Sequence, residues 1–90
     1  MYLHIGMNTA VLLDDIILVS DIDNVTTEKP SIEFLNKMQA QNKLVETYDD
    51  FPKSFVLCSE RTNKRRNKKN EKLYISQINS RTIISRLNEI

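Results

Sequence analysis

The sequence predicts an α+β fold, a small and mostly antiparallel β-sheet with two short helices, in a single domain over residues 1–90. Three observations lead to this prediction. Most apolar runs are only three or four residues long, as in strands. Two other segments repeat apolar residues at helical spacing. Finally, two apolar runs, residues 55–58 and 73–75, flank a polar stretch and predict a long central hairpin.

The first twenty residues alternate strand and turn signals. Residues 2–5 alternate as a strand does, and residues 6–9 supply a tight turn. Residues 10–19 are apolar except for Asp14 and Asp15. An amphipathic helix would need a wider polar stripe than one aspartate pair, so the pattern favours two strands, or one strand bent at the aspartates.

A helix is predicted over residues 31–42, because Ile32, Leu35 and Met38 recur at helical spacing. Pro30 is acceptable in the first turn of such a helix, where its missing N–H is not needed.

A short strand is predicted over residues 44–48, and a last helix is predicted with Ser80 as its cap. The apolar positions Ile83, Ile84 and Leu87 fit the stripe of a packed helix. This order of elements implies a sheet with the helices on one side or at one end.

The central hairpin is predicted from two different patterns. Residues 55–58 are continuously apolar, which suits a strand covered on both faces. Leu73 and Ile75 share one face of the second strand, and Tyr74 lies on the other. Between the two runs, residues 60–71 contain no apolar side chain and therefore form a basic insert that projects into water.

Charge is distributed unevenly along the chain. Residues 1–50 carry nine acids and three bases, a net charge of −6, and residues 51–90 carry three acids and ten bases, a net charge of +7. The two halves can attract one another within or between subunits. Six cations are concentrated in nine residues of the insert, namely Arg61, Lys64, Arg65, Arg66, Lys68 and Lys69.

The basic insert has two interpretations. It is either an electrostatic arm for DNA, RNA or another anionic surface, or a solvated hairpin tip without a partner. It contains no aromatic residue that could stack on bases, so an arm of this kind would bind the phosphate backbone without reading sequence.

The aspartates also have two interpretations, as turn residues or as a face for a metal or a basic partner. They are Asp14, Asp15, Asp21, Asp23, Asp49 and Asp50. Residues 21–24 open like a calcium loop, but the glycine and the closing glutamate of such a loop are missing. No metal site is therefore predicted.

No active site or cofactor is predicted from the remaining residues. His4 stands alone on the Tyr2 face of the first strand, and Cys58 ends an apolar run where it packs as a small buried residue. Gly6 is the single glycine, so there is no glycine-rich phosphate loop. The absence of a leader pattern or a long apolar run places the chain in a cytoplasm without membrane contact.

Short strings at both ends of the chain resemble the RemA/RemB family of bacterial extracellular-matrix regulators, and the RemB branch in particular. In the first half they are Tyr-Leu-His-Ile-Gly at residues 2–6 and Asp-Ile-Ile at residues 15–17. In the second half they are residues 52–57, residues 73–76 and Ser-Arg-Thr-Ile-Ile-Ser-Arg-Leu at residues 80–87. The likeness covers most of the chain apart from the basic insert.

The resemblance implies a cytoplasmic homo-oligomer, ring-shaped or similar, and for the RemA branch a DNA-binding activator of biofilm-matrix genes. The chain departs from the RemA pattern where arginines are expected. Asp15 occupies one such position, Asp50 and Phe51 occupy two others, and Lys53 keeps a basic residue nearby. Carboxylates repel phosphates, so the residues of the insert would have to make any DNA contact.

Two hypotheses of function follow. The first is an oligomeric regulator that binds DNA through Lys53 and the six cations of the insert. The second is an adaptor or structural protein without DNA activity, whose insert binds an acidic protein partner. Under either hypothesis the protein is not an enzyme.

Overall fold

The protein is described here by a computed structural model that covers residues 1–23, 29–49, 51–63 and 68–89, with the backbone alone at 61–63, 68 and 69. Within these ranges it forms six strands, two α-helices and one turn of 3₁₀ helix. In chain order they are β1 (Tyr2–Gly6), β2 (Thr9–Leu12), the 3₁₀ turn (Leu13–Asp15), β3 (Ile16–Asp21), α1 (Lys29–Ala40), β4 (Leu44–Thr47), β5 (Ser54–Asn63), β6 (Lys68–Ser76) and α2 (Ser80–Asn88). The predicted α+β class is confirmed, as is the break between two strands at the aspartate pair.

The main sheet has the strand order β3-β5-β6-β4. β5 pairs antiparallel with both β3 and β6, and β4 pairs parallel with β6. The predicted central hairpin is therefore confirmed, with a ladder that runs from Ser54 opposite Ser76 to Asn63 opposite Lys68. Because β3 and β4 run in the same direction at opposite edges, the connection through α1 has to cross the sheet.

The two helices cover opposite faces of this sheet. α1 packs on one face, where Met38, Phe55, Leu73 and Ile75 form a buried cluster. The β1–β2 hairpin and α2 cover the other face around Ile5, Val56, Cys58, Tyr74 and Ile83. The expectation of helices on one side or at one end is thus wrong. A central strand that is apolar on both faces needs a cover on each.

Buried hydroxyl groups join the β1–β2 hairpin to the main sheet. The Ser76 hydroxyl donates to the Ile5 carbonyl and accepts from the Ile78 N–H at 3.0 Å. The Ser54 hydroxyl donates to the Ile78 carbonyl at 2.7 Å. Ser54 and Ser76 are fully buried, so these bonds satisfy groups that water does not reach.

Gly6 ends β1 against the backbone of β4. Its φ of +135° lies in a region that other residues rarely adopt, and a Cβ atom at this position would lie 2.5 Å from the Thr47 carbonyl oxygen. Thr47 is itself fixed by a bond of 2.8 Å from its hydroxyl to the Ile75 carbonyl. A glycine is therefore required where the two sheets approach each other.

The helix ends differ slightly from the predicted ones. α1 begins and ends two residues earlier than residues 31–42. Its C-terminal end is closed where Asn42 adopts a φ of 57° and the Lys43 N–H bonds to the Met38 carbonyl at 2.9 Å. Pro30 lies in the first turn, as predicted.

The cap of α2 is Asn79, whose side chain accepts from the Arg81 N–H at 2.9 Å, and the prediction of Ser80 as the cap is wrong. Ser80 is the first helical residue, and its hydroxyl donates to the Asp21 carboxylate.

Candidate nucleic-acid interface

The β5–β6 hairpin extends beyond the sheet as a two-stranded arm. β3 accompanies β5 only as far as Cys58, and β4 accompanies β6 only from Leu73 onward. Residues 59–63 pair with residues 68–71 across one register shift, and Lys72 pairs with Cys58 at the base of this extension. Residues 59–63 and 68–72 consequently have no outer neighbouring strand in the part of the chain that the structure describes. We call these two segments the basic arm. At the usual rise per residue, each strand of the arm is roughly 16 Å long.

Three of the seven cations predicted as nucleic-acid contacts lie on the strands of this arm. Arg61 and Lys69 are directly opposite each other in the ladder, and Lys68 is opposite Asn63 after a register shift. Like charges at opposed positions destabilise a strand pair unless an anion lies nearby, so this pairing favours an anionic partner. Lys64, Arg65 and Arg66 fall outside the residues that the structure describes.

Lys53 lies far from the arm. It precedes β5, whereas Arg61 lies eight residues further along an extended strand, a separation of roughly 26 Å at the usual rise. Its backbone N–H bonds to the Ser76 carbonyl at 2.8 Å, and its carbonyl accepts from the Ile22 N–H at 3.1 Å. The exposed Lys53 side chain is near Arg81 in a polar cleft at the other end of the sheet. Lys53 and the basic arm therefore do not belong to one contact surface.

A polar cluster braces the base of the arm on the α2 face. The Glu60 carboxylate accepts from the Tyr74 hydroxyl at 3.1 Å and lies 3.6 Å from the Lys72 ammonium. The predicted alternation placed Tyr74 on this face, but the sequence did not predict its contact with Glu60. The hydrogen bond connects Glu60, at the start of the arm, to the buried ring of Tyr74 in the core.

Burial and nearby carboxylates keep two groups near this cluster protonated. Burial raises the pKa of Cys58 to about 12, and the charges of Asp15 and Glu60 add to the effect. Burial likewise raises the pKa of Tyr74 to about 12, and Glu60 adds to it through its charge and its hydrogen bond. Cys58 is fully buried, so the prediction of a packing residue is confirmed, and Tyr74 remains a hydrogen-bond donor at neutral pH.

The aspartates are spread along the chain and do not form a metal site in the described part of it. Asp14 and Asp15 form the 3₁₀ turn, and Asp21 receives the Ser80 hydroxyl. Across the described ranges, no group of three or more His, Cys, Asp or Glu residues could hold a metal ion. Asp50 lies outside those ranges.

No protein-family model matches the chain, and no curated protein matches it. Among the helices that the structure describes, none has the length and apolar character needed to cross a membrane.

Proposed function

We propose that the protein is a homo-oligomeric DNA-binding regulator of the RemA/RemB type, active in the cytoplasm, and that its basic arm is the DNA contact. The observation that supports this proposal best is the continuation of the β5–β6 ladder past both edge strands of the sheet. The two segments of the arm carry four cations and two acids, a net charge of +2, and residues 64–67 between them add three more cations to the sequence.

The shape of the arm suits a groove of duplex DNA. The major groove is about 12 Å wide and admits a two-stranded β-ribbon. A ribbon without outer neighbours can enter it, whereas the four-stranded body of the sheet cannot. The cations would then lie near the phosphates on both walls, and their binding would release counterions. Because one arm offers few contacts, several arms on an oligomer would gain affinity by binding along one duplex.

The proposal makes this protein a binding protein and not an enzyme. The arm has no aromatic residue for stacking on bases, so its cations would contact the phosphate backbone without reading sequence. The DNA affinity is therefore expected to be largely independent of sequence and strongly dependent on salt.

The first test is a titration of a fluorescent DNA duplex with the intact chain at roughly 50 and 200 mM salt. In the test variant, Arg61→Ala is combined with Lys69→Ala, which removes two cations from the arm. We expect weaker binding, and the slope of log affinity against log salt should fall by about one per cation removed.

The matched control combines Lys29→Ala with Lys37→Ala, which removes two exposed cations from α1 and leaves the arm intact. It should bind DNA nearly as well as the unchanged chain. Equal losses in the two double variants would mean that net charge alone drives binding, and the arm would not be the interface.

A second function is favoured by the carboxylates at the base of the arm. Asp15 and Glu60 line one groove there, and their charges would oppose a DNA backbone that lies close to the sheet. A short acidic protein segment could bind the outer part of the arm alone, away from these carboxylates, and an adaptor of this kind would avoid that repulsion. Absence of DNA retention at low salt, together with recovery of one acidic protein by the intact chain but not by the arm variant, would favour the adaptor.

A further inference from the structure

β3 is an edge strand with an unprotected outer side. It pairs with β5 on one side, and the strand order leaves its other side without a neighbour in the described part of the chain. Its N–H and C=O groups on that side therefore offer hydrogen bonds to a further strand. After a register shift near Ile17, the residues from Leu18 to Asp21 pair with β5 in regular register.

The composition of β3 differs from that of a protected edge. Natural edge strands are usually short, or they carry lysine, proline or a β-bulge that discourages pairing, and the irregularity in β3 is confined to its start, between Ile16 and Leu18. β3 has the sequence Ile-Ile-Leu-Val-Ser-Asp, without lysine or proline, and 58% of Ile17 and 55% of Leu18 are exposed. The opposite edge strand, β4, has only four residues and follows Lys43. The two edges of the sheet are thus unequal, and only β3 has the character of a pairing surface.

An apolar cleft adjoins the same edge. It has a volume of about 210 Å³ and lies between α1 and the sheet. The residues that line it include Leu18, Ser20, Pro30, Phe34, Phe55 and Leu57. Strand-addition sites combine a free edge, which supplies the backbone bonds, with a pocket that receives alternate side chains. β3 and this cleft provide both parts.

We propose that the β3 edge binds the β3 edge of a second copy of this chain, antiparallel and across a two-fold axis, to form a continuous eight-stranded sheet. The occupant has to be a strand, because the groups to be satisfied are backbone groups, and it has to be apolar, because Ile17, Leu18 and the cleft are apolar. β3 itself meets both conditions. A two-fold contact also satisfies both edges at once, so it closes without leaving a new edge.

The two-fold arrangement places the clefts of both copies beside the shared seam. Leu18 lines the cleft and lies near the middle of β3, so the two Leu18 side chains approach each other and each extends the apolar lining of the other copy. The contact would also add apolar burial that a 90-residue domain lacks on its own. This inference deepens the self-association in the proposed function and names its surface.

The test measures the mass of the full chain by sedimentation velocity in the absence of DNA, so that its outcome is independent of DNA binding. The unchanged chain should be dimeric, or a larger assembly built from dimers, at micromolar concentration. Leu18→Lys should weaken association at least about tenfold, because it would bring two unpaired ammonium groups together at the seam. Met7→Lys is the control, because Met7 is 52% exposed in the β1–β2 turn, beside Gly6 at the opposite edge strand β4, and the change should leave association unchanged.

Cross-linking keeps the proposal testable if the lysine variant fails to fold. Leu18→Cys, treated with a short bis-maleimide, should give a covalent dimer, whereas Met7→Cys, beside the opposite edge of the sheet, should give none. The native Cys58 is fully buried and does not compete for the reagent. A monomeric unchanged chain, a Leu18→Lys chain that still associates normally, or equal cross-linking at both positions would overturn the proposal.

Discussion

At the scale of single residues, the region around Cys58 links packing to protonation. Cys58 and Tyr74 lie on the same sheet face as Glu60, and the charges of Glu60 and Asp15 act on both of them. The hydroxyl of Tyr74 can donate to Glu60 only while it keeps its proton. The buried thiol and the phenol are therefore both tied to their neutral forms.

This protonation makes the folded state sensitive to alkaline pH. The pKa of Cys58 rises from an ordinary 9.0 to about 12 in the folded chain, and that of Tyr74 from 10.0 to about 12. Between about pH 9 and pH 12 the unfolded chain loses protons that the folded chain retains, so the free energy of unfolding should fall as the pH rises. Below pH 9 these two groups should have no effect.

Urea unfolding at a series of pH values between 8 and about 11 would measure this fall. Cys58→Ala removes the group with the lower ordinary pKa, so its stability should decline less between pH 9 and pH 10 than that of the unchanged chain. An identical decline in both proteins would show that Cys58 does not carry the effect.

At the scale of elements, the start of α2 depends on one side chain. Asn79 satisfies the Arg81 N–H, which is one of the first N–H groups that a helix leaves without an internal partner. Asn79→Ala should therefore lower the free energy of unfolding by about 1 kcal/mol, and Asn79→Ser should be close to neutral because serine caps nearly as well. Urea unfolding of the two variants would measure the difference, and equal stabilities would contradict a capping role.

Local pattern predicted most elements, because alternation and helical spacing reflect which face of an element is buried. It placed Leu73 and Ile75 opposite Tyr74, and it placed His4 on the same face as Tyr2, as the structure has them. It did not predict the side of the sheet that each helix covers, because the crossing of α1 from β3 to β4 depends on strand order. The contact between Glu60 and Tyr74 depends in the same way on the register of β5 against β6.

The sequence predicted only part of the candidate site, because it shows which residues are cationic but not how far apart they lie in the fold. Composition alone locates the cations of the insert, and three of them lie on the arm. Lys53 was grouped with them because it keeps a basic residue near the positions where the resemblance implies arginines, but an extended strand converts the eight residues from Lys53 to Arg61 into roughly 26 Å. Distance along a strand therefore matters more than distance along the sequence when charges are assigned to one surface.

At the scale of the whole molecule, the two proposed contacts differ in their physical character. The arm is cationic and would bind an anionic polymer, and the β3 edge is apolar in its middle. Aspartates flank that edge, with Asp14 and Asp15 before β3 and Asp21 at its end. In an antiparallel pair of copies, the start of one β3 lies near the end of the other, so these carboxylates repel each other across the seam.

Salt should consequently affect the two contacts in opposite directions. Raising the salt concentration from about 0.1 M to about 1 M shortens the Debye length from about 10 Å to about 3 Å, which screens the aspartate repulsion and also weakens phosphate binding. Sedimentation velocity should show self-association that is unchanged or stronger at high salt, while DNA titrations under the same conditions show a steep loss of affinity. If self-association instead weakens with salt in parallel with DNA binding, the subunits are joined by contacts between the acidic half and the basic half of neighbouring chains, and the β3 edge is not their interface.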